Sequence, residues 1–308
     1  MTDATLAWIP ADEVFARVSY ERAIRAVQRD LRGAVEPADD FARTIQPVAS
    51  GQLLLMPTQS AEFVGIKVLT VAPGNQAMGK AVINAVYLLM DAATLSPIAL
   101  IDGTALTTLR TPATSAAIAD FLAPTKVQHL VVFGSGPQAK GHIAAMRVIR
   151  DIERITIIDV NREHVESLAT QLRADGIEVN VGSSGDVADA DLIVCATSSQ
   201  TPLFDGRLVR DDSLTVAVGA YEPHTRELDS TLMGRSNVVV EDVATALREA
   251  GDVIIPVAEG VINPSSLITM RDVITGKTVL DHERPRVYKS TGMSWEDLSV
   301  ASEIFRAD

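Results

Sequence analysis

The chain has 308 residues, 47% of them hydrophobic, and a net charge of −13. This charge argues against a nucleic-acid partner, because a phosphate backbone needs a basic face. No apolar run approaches the roughly 20 residues that cross a membrane as a helix, so no membrane partner is expected. The length favours two domains.

The single cysteine and the amino terminus both indicate location. MTDATLAWIP lacks the basic and long apolar regions of a signal peptide. Cys195 lies in the apolar run DLIVCATS, where a small core residue is expected rather than a catalytic thiol. Because one cysteine forms no internal disulfide, a reducing, cytoplasmic location is predicted.

The first third of the chain predicts an α+β unit. Helical spacing runs from about residue 11 to 34, with Ile24, Val27 and Leu31 on one face. After a loop-like stretch, three short apolar runs bounded by Gly, Pro or Asn predict strands: GQLLLMP, FVGIKVLTVAP and AVYLLMD.

The segment LRTPATSAAIADFLAP predicts a helix with a defined start. Thr111 can cap it, Pro112 suits the first helical position, and Pro124 ends it. Arg110 would then lie just ahead of a positive helix terminus, which is a natural place for an anion.

From Val127 onward, strands and helices alternate. The strands VQHLVVFG, RITIIDV, ADLIVCAT and SLTVAVGA are nearly continuous apolar runs separated by helical segments. Such strands are typical of a parallel sheet that is covered on both faces. The chain then ends with a strand, a turn at Gly292 and a final helix.

The stretch VVFGSGPQAKG indicates a dinucleotide site. Gly134, Gly136 and Ala139 form a G-x-G-x-x-G/A pattern that follows a strand and opens a helix. The first glycine permits the turn, the second lets backbone approach a pyrophosphate, and the small third residue allows close packing. Asp159 closes the next predicted strand, where an acid binds the ribose 2′-hydroxyl and repels a 2′-phosphate. NAD is therefore favoured, and Arg162 nearby leaves NADP open.

Two further features suggest chemistry without fixing it. Lys67 places a charge inside an apolar strand, which favours a functional role because buried lysines are rare without a partner. The stretch VGAYEPHTRELD places Tyr221, Glu222 and His224 after a buried strand, where ligands bind in α/β proteins. For all three, a packing or solvated loop role is the more common one. The histidines show no metal-binding spacing, so no metal is expected.

Several stretches together resemble the ornithine cyclodeaminase/mu-crystallin family: GIKV, LRTPATSAA, GSGPQA, VGAYEPHTRELD, REAGDVIIP and VYKSTGMSWED. The resemblance runs from LLLMP to the end of the chain. It implies an α/β fold with a Rossmann-type doubly wound sheet in residues 113–291. An α+β substrate-binding and dimerisation domain would comprise residues 1–112 and 292–308, which makes a homodimer the expected assembly.

The resemblance also implies residue roles. Lys67 and Arg110 would be catalytic and would bind the substrate together with Arg43 and Thr291. The residues implied to bind the cofactor are Asn84, Arg110, Thr111, Gly134, Gly136, Pro137, Gln138, Asp159, Arg162, Thr197, Ala217, Val218, Gly219, Ala220 and Ser290.

The chain departs from the cyclodeaminase pattern at one position. The family's cyclodeaminases and related alanine dehydrogenases place a catalytic aspartate where this chain has Tyr221, which is therefore a candidate catalytic residue. With an unperturbed pKa near 10, a tyrosine is a poor base for the several proton transfers of cyclodeamination. A preformed imine is already electrophilic, so its reduction needs fewer proton transfers from the protein.

The expected function is accordingly hydride transfer to or from the α-carbon of a small imino or amino acid. Ketimine reductases, such as a pyrroline-2-carboxylate reductase, and amino-acid dehydrogenases fit this expectation. The alternatives are ornithine cyclodeaminase, an ammonia-lyase, and a non-catalytic NAD(P)H-regulated binding protein.

Overall fold

The computed structural model describes residues 6–280 and 282–307. The chain divides into two compact units. Unit 1 consists of Met1–Thr114 with Met293–Asp308, and unit 2 consists of Ser115–Gly292. The last residues of the chain therefore belong with its first third.

The secondary structure follows in chain order. The first part contains β1 (Ala7–Ile9), α1 (Ala11–Arg17), α2 (Tyr20–Arg32), β2 (Thr44–Val48), β3 (Gly51–Gln59), β4 (Phe63–Val71), β5 (Ile83–Asp91), β6 (Pro97–Asp102) and α3 (Gly103–Leu122). The remainder contains β7 (Val127–Phe133), α4 (Pro137–Ile149), β8 (Ile152–Ile158), α5 (Arg162–Ala174), β9 (Val179–Val181), β10 (Leu192–Cys195), β11 (Leu214–Ala217), α6 (Ser230–Arg235), β12 (Asn237–Val240), α7 (Val243–Glu249), α8 (Gly251–Ala258), β13 (Ile268–Thr269), α9 (Met270–Ile274), β14 (Arg286–Lys289) and α10 (Ser294–Arg306).

Unit 1 is built on a mixed sheet with the strand order β1-β6-β5-β4-β3-β2. Its strands are antiparallel except for β1, which runs parallel to β6. On β3, Leu54, Met56 and Thr58 are buried while their neighbours are partly exposed, as expected of a sheet covered on one face. Helix α10 packs against α2 and against strands β3 and β4.

The predicted single helix over residues 11–34 is two helices. Helix α1 ends at Arg17, and α2 begins at Tyr20. Ser19 separates them, because its side chain accepts a hydrogen bond from the Arg22 N–H and so caps α2.

The predicted start of α3 is wrong. The helix begins at Gly103, because the Asp102 carboxylate accepts a hydrogen bond from the Ala105 N–H (2.8 Å) and caps it there. Arg110 and Thr111 therefore lie inside the helix rather than at its positive terminus, and Pro112 is an interior proline. A proline there costs about 3 kcal/mol, but most of α3 is buried, and packing outweighs local propensity.

Unit 2 is built on a parallel sheet with the order β13-β12-β14-β11-β10-β7-β8-β9. All its strand pairs are parallel. Successive strands lie on one side of β7 up to β9, and the order then reverses, with β10 on the other side of β7. Ligands bind at the carboxyl ends of strands at such a switch point.

An apolar cluster forms the core of unit 2 and includes Val131, Ile193, Ala217 and Val287 from four of the strands. Cys195 lies in the same cluster as a buried free thiol, which agrees with the prediction of a small core residue. Burial raises the pKa of this thiol well above its usual range, and such a thiol is inert as a nucleophile.

Replacing Gly65 by alanine should destabilise unit 1. A Cβ at this position would lie 1.8 Å from the Tyr87 Oη, and the Tyr87 ring is completely buried. We expect a loss of roughly 1–3 kcal/mol in the free energy of unfolding, measured with urea. A Cβ at Gly74 would meet nothing, so Gly74→Ala is the matched control and should change stability by less than about 0.5 kcal/mol. Equal effects of the two substitutions would contradict this packing.

Candidate active site and dinucleotide-binding edge

Unit 1 contains a buried cluster of four charged side chains. The Lys67 Nζ lies 2.9 Å from Oδ1 and 2.8 Å from Oδ2 of Asp297. The Arg110 Nε lies 3.0 Å from the same Asp297 Oδ1, and the Arg110 Nη1 pairs with the Glu296 Oε2. All four side chains are almost inaccessible to solvent. Two cations and two carboxylates are therefore held together away from water.

Three elements bring these charges together. Lys67 lies on the buried face of β4, in register with Tyr87 on β5. Arg110 comes from the middle of α3, and Glu296 and Asp297 come from the first turn of α10. Glu296 also accepts a hydrogen bond from the Met293 N–H (3.2 Å), which fixes it at the start of its helix.

The cluster shifts the proton affinity of the lysine. Burial and the neighbouring Arg110 together lower the pKa of Lys67 to about 8, while Asp297 opposes the shift. Burial also raises the pKa of Tyr87 well above its usual range, with Asp297 and Asp40 adding to the effect. A lysine with a pKa near 8 exchanges protons close to neutral pH, as general acids and bases do.

Sequence reasoning missed both acids of this cluster. Glu296 and Asp297 occupy the first turn of a helix, where acids are common because they interact favourably with the helix dipole. The signal that could have identified them is their setting: α10 is buried along nearly all of its length. Buried carboxylates need cations, and Lys67 and Arg110 were both available.

At the switch point of unit 2, the glycines behave as the dinucleotide motif requires. Gly134 follows β7 with φ +108°, and a Cβ there would lie 2.5 Å from the Ala196 carbonyl oxygen. A Cβ on Gly136 would meet nothing, so open space lies beside the backbone that precedes α4. Helix α4 begins with Pro137, and its amino terminus therefore faces room for an anion.

Asp159 follows β8 and is fixed on both oxygens. Its Oδ2 accepts a hydrogen bond from the Ser135 hydroxyl (2.6 Å), and its Oδ1 accepts one from the Asn161 N–H (3.0 Å). Ser135 lies between the two motif glycines, so the carboxylate is joined to the glycine turn. Arg162 is exposed at the first position of α5.

The other residues predicted to line the cofactor lie on neighbouring turns of unit 2. Thr197 follows β10, and Ala217–Ala220 end β11 and continue past it. Buried Glu227 accepts hydrogen bonds from both turns, at Thr197 and at Gly219. A role for Glu227 in this site was not predicted from the sequence.

Ser290 and Thr291 follow β14 and are held by a second buried acid. Glu241 accepts hydrogen bonds from the Ser290 hydroxyl (2.7 Å), the Thr291 N–H (2.8 Å) and the Gly292 N–H (3.0 Å). Glu241 directly follows β12, which pairs with β14. Sequence reasoning missed this carboxylate as well.

The three candidates of the VGAYEPHTRELD loop lie toward solvent. Tyr221 and His224 are exposed, and the His224 Nε2 lies 3.5 Å from the Glu222 Oε2. Catalytic roles for Tyr221, Glu222 and His224 remain predictions.

The remaining predicted site residues are placed as follows. Arg43 is half-buried just before β2, and Asn84 is exposed on β5, where its amide donates to the Ala81 carbonyl (3.2 Å). Thr111 lies inside α3. Gln138 is the second residue of α4, and its carbonyl oxygen lies 2.8 Å from the His142 Nδ1.

Within residues 6–280 and 282–307, no group of three or more His, Cys, Asp or Glu side chains could hold a metal ion. No helix in this described part of the chain is long and apolar enough to cross a membrane.

A parallel sheet that opens at a glycine turn, together with an α+β unit carrying buried charges, defines an α/β protein of the Rossmann type. The chain belongs to the ornithine cyclodeaminase/mu-crystallin family, whose model matches residues 9–307. The predicted family and fold class are thus confirmed.

Three proteins are similar to this chain in sequence or in structure. A Delta(1)-pyrroline-2-carboxylate reductase of Bacillus cereus is 33% identical over 274 residues, covering 85% of this chain and 84% of the relative. The Thermococcus litoralis Delta(1)-pyrroline-2-carboxylate reductase, solved with NADH and L-proline, has a TM-score of 0.91 at 26% identity, covering 98% and 97% of the two chains. An archaeal alanine dehydrogenase dimer with bound NAD has a TM-score of 0.92 at 25% identity, covering 98% and 95%.

Replacing Asp297 by asparagine should strongly destabilise the protein, because it leaves two buried cations with too little counter-charge. We expect a loss of about 3–5 kcal/mol in the free energy of unfolding. Glu303→Gln is the matched control on the same helix: Glu303 also pairs with arginines, namely Arg22, Arg29 and Arg306, but all three are about 40–50% exposed. Its expected cost is about 1 kcal/mol or less. Urea unfolding of both variants checks this, and a smaller loss for Asp297→Asn than for Glu303→Gln would refute it.

Proposed function

We propose that this protein is an NADH-dependent ketimine reductase that reduces a small cyclic imino acid, such as Δ1-pyrroline-2-carboxylate, to the corresponding amino acid. The observation that carries the proposal is the pair of buried cations, Lys67 and Arg110, in a chain related to two pyrroline-2-carboxylate reductases. One cation can bind a carboxylate while the other gives a proton to the imine nitrogen.

The dinucleotide would bind at the switch point of unit 2. The open space beside Gly136 and the start of α4 suit a pyrophosphate, and the fixed carboxylate of Asp159 suits a ribose 2′-hydroxyl. Gln138 and Thr197 would add contacts from α4 and the turn after β10. Bound NADH supplies the hydride that the imine carbon accepts. We propose NAD over NADP because Asp159 repels a 2′-phosphate, with Arg162 as the residue that could relax this preference.

The substrate would bind against the charge cluster of unit 1. The Arg110 guanidinium has five N–H donors in a planar fork, which matches the geometry of a carboxylate. Arg43 is proposed as a second carboxylate ligand, by resemblance. Asp297 holds Lys67 and Arg110 by pairing with both, so the two cations keep a fixed spacing.

Lys67 is proposed as the proton donor. During reduction the imine nitrogen gains a proton as the α-carbon gains hydride, so a protonated group must face that nitrogen. Burial and Arg110 lower the pKa of Lys67 to about 8, which makes its proton easier to release than that of an ordinary lysine. In the reverse direction the neutral amine of Lys67 would accept the proton. Tyr221 stays a second candidate on sequence grounds alone.

We also propose a homodimer in a cytoplasmic location. Unit 1 exposes large apolar side chains, among them Trp8, Phe41, Ile45 and Val48, and its edge strand β2 is exposed throughout. Unpaired edges and apolar patches are features of association surfaces. The archaeal alanine dehydrogenase relative is a dimer. Sedimentation equilibrium tests this, with a single-chain mass as the contradicting result.

A substrate panel tests the reaction. The purified protein with NADH should reduce Δ1-pyrroline-2-carboxylate or Δ1-piperideine-2-carboxylate, with NADH absorbance as the readout. Lys67→Ala should lower kcat by a factor on the order of 100 while NADH affinity changes little, because a general acid contributes about 10²–10⁴-fold.

Other outcomes of the panel separate the alternatives. Release of ammonia and proline from ornithine would identify a cyclodeaminase. Turnover confined to alanine with NAD+, or to pyruvate with ammonia and NADH, would identify an amino-acid dehydrogenase. NADH binding without any turnover would identify a binding protein.

The pH dependence of the rate should report Lys67. Because the donor must be protonated, kcat/KM for imine reduction should be level below pH 8 and fall above it. For oxidation of the cyclic amino acid the sign reverses, and the rate should rise through about pH 8. Arginine stays protonated across this range, so whatever reductase activity Lys67→Arg retains should lack the fall. A fall that persists in that variant would belong to another group.

A further inference from the structure

Glu227 joins two turns at the carboxyl end of the parallel sheet. Its Oε1 accepts hydrogen bonds from the Thr197 N–H and the Thr197 hydroxyl, both at 2.8 Å. Its Oε2 accepts one from the Gly219 N–H at 2.7 Å. Thr197 follows β10 and Gly219 follows β11, which are paired strands. A single, fully buried carboxylate therefore sets the distance between these two turns.

The joined turns border the glycine turn of the dinucleotide motif. A Cβ on Gly134 would lie 2.5 Å from the Ala196 carbonyl oxygen and 3.7 Å from the Thr197 Cγ2. A Cβ on Gly219 would lie 2.0 Å from the Thr197 carbonyl oxygen and 2.5 Å from the Glu227 Oε1. The three turns are thus in direct contact, and a shift of the Thr197 turn would change the outline of the switch point.

Glu227 is itself held in place by a second buried acid. The Asp252 Oδ1 accepts hydrogen bonds from the N–H groups of Glu227 and Leu228, both at 2.8 Å. The Asp252 Oδ2 lies 3.1 Å from the Lys289 Nζ, which also donates to the Ala217 carbonyl oxygen (3.3 Å). Asp252 and Lys289 therefore connect the Glu227 backbone to β14 and β11. The side chain of Glu227 is held by the two turns, and its backbone is held by Asp252.

The donor pattern requires a carboxylate at this position. All three groups that face the Glu227 oxygens, the Thr197 N–H, the Thr197 hydroxyl and the Gly219 N–H, donate. An ionised carboxylate accepts at both oxygens, whereas an amide accepts at only one and presents N–H groups at the other. In a glutamine variant one of the two turns would therefore meet a donor instead of an acceptor.

We propose that Glu227 is a positioning residue for the dinucleotide: it fixes the turns at Thr197 and Gly219 so that their backbone lines the bound NADH. The inference rests on the proposed function only in taking NADH as the ligand. Glu227 does not touch the reacting atoms, and its effect is on cofactor affinity rather than on proton transfer.

The test compares Glu227→Gln with a matched variant, Asp191→Asn. Asp191 also accepts hydrogen bonds from two backbone N–H groups, at Gln128 (2.7 Å) and His129 (3.0 Å), but it lies at the amino ends of β7 and β10. Both variants should lower Tm. Glu227→Gln should raise the Kd for NADH on the order of ten-fold, measured by titration calorimetry, because a buried hydrogen bond is lost. Asp191→Asn should leave the Kd within about two-fold of wild type.

The outcomes separate this inference from the proposed reaction. An unchanged Kd in Glu227→Gln, or an equal rise in both variants, overturns the positioning role. If Glu227→Gln fails to fold, Glu227→Asp takes its place in the test. The shorter side chain keeps the charge but withdraws both oxygens from the turns, so the Kd for NADH should rise in this variant as well. Failure of both to fold would leave Glu227 with stability alone and would also overturn the inference. Absence of imine turnover in a wild type that binds NADH would refute the proposed reaction and leave the Kd comparison intact.

Discussion

The structure depends on the neutralisation of charges that are buried in unit 1. Lys67 on β4 and Arg110 on α3 lie where water does not reach, and an isolated ion in such a place is costly. Asp297 pairs with both, and Glu296 completes the balance. Because both acids lie on the last helix, their pairing brings the end of the chain to its first third, across 230 residues between Lys67 and Asp297. The need to neutralise these buried charges therefore organises the fold of this unit.

Unit 2 follows the same rule, with backbone groups as additional partners of its buried carboxylates. The turns at the carboxyl ends of the strands have N–H groups that form no hydrogen bond within the sheet. Buried carboxylates accept hydrogen bonds from these N–H groups. Glu227 accepts hydrogen bonds from Thr197 and Gly219, and Glu241 accepts them from the turn at Ser290–Gly292. Buried polar groups of this kind are stable only when their partners are supplied. Buried acids therefore hold the turns at the carboxyl edge of this sheet in place.

The sequence predicted the features that have local causes. Apolar strands separated by helices indicate a parallel sheet. Gly134 was identified from its place in a strand-to-helix turn, and its φ of +108° is one that glycine adopts readily. Lys67 was identified because a charge interrupts an apolar strand. Other features were hidden for physical reasons. Strand β2 is exposed at every residue, so it shows no buried alternation. For α3, Thr111 and Pro112 suggested a start, whereas the Asp102 carboxylate caps the helix earlier in the chain. Asp297 sits where helix-start acids are ordinary.

The position of α10 has a consequence for the order in which the protein matures. During synthesis the amino-terminal part leaves the ribosome first. Strand β4 and helix α3 are complete long before residues 293–308 exist, and until then Lys67 and Arg110 lack the carboxylates that neutralise them. Unit 1 can close over its charges only after the chain is nearly finished. A chain that stops before α10 therefore lacks the two carboxylates that stabilise the buried cations of unit 1.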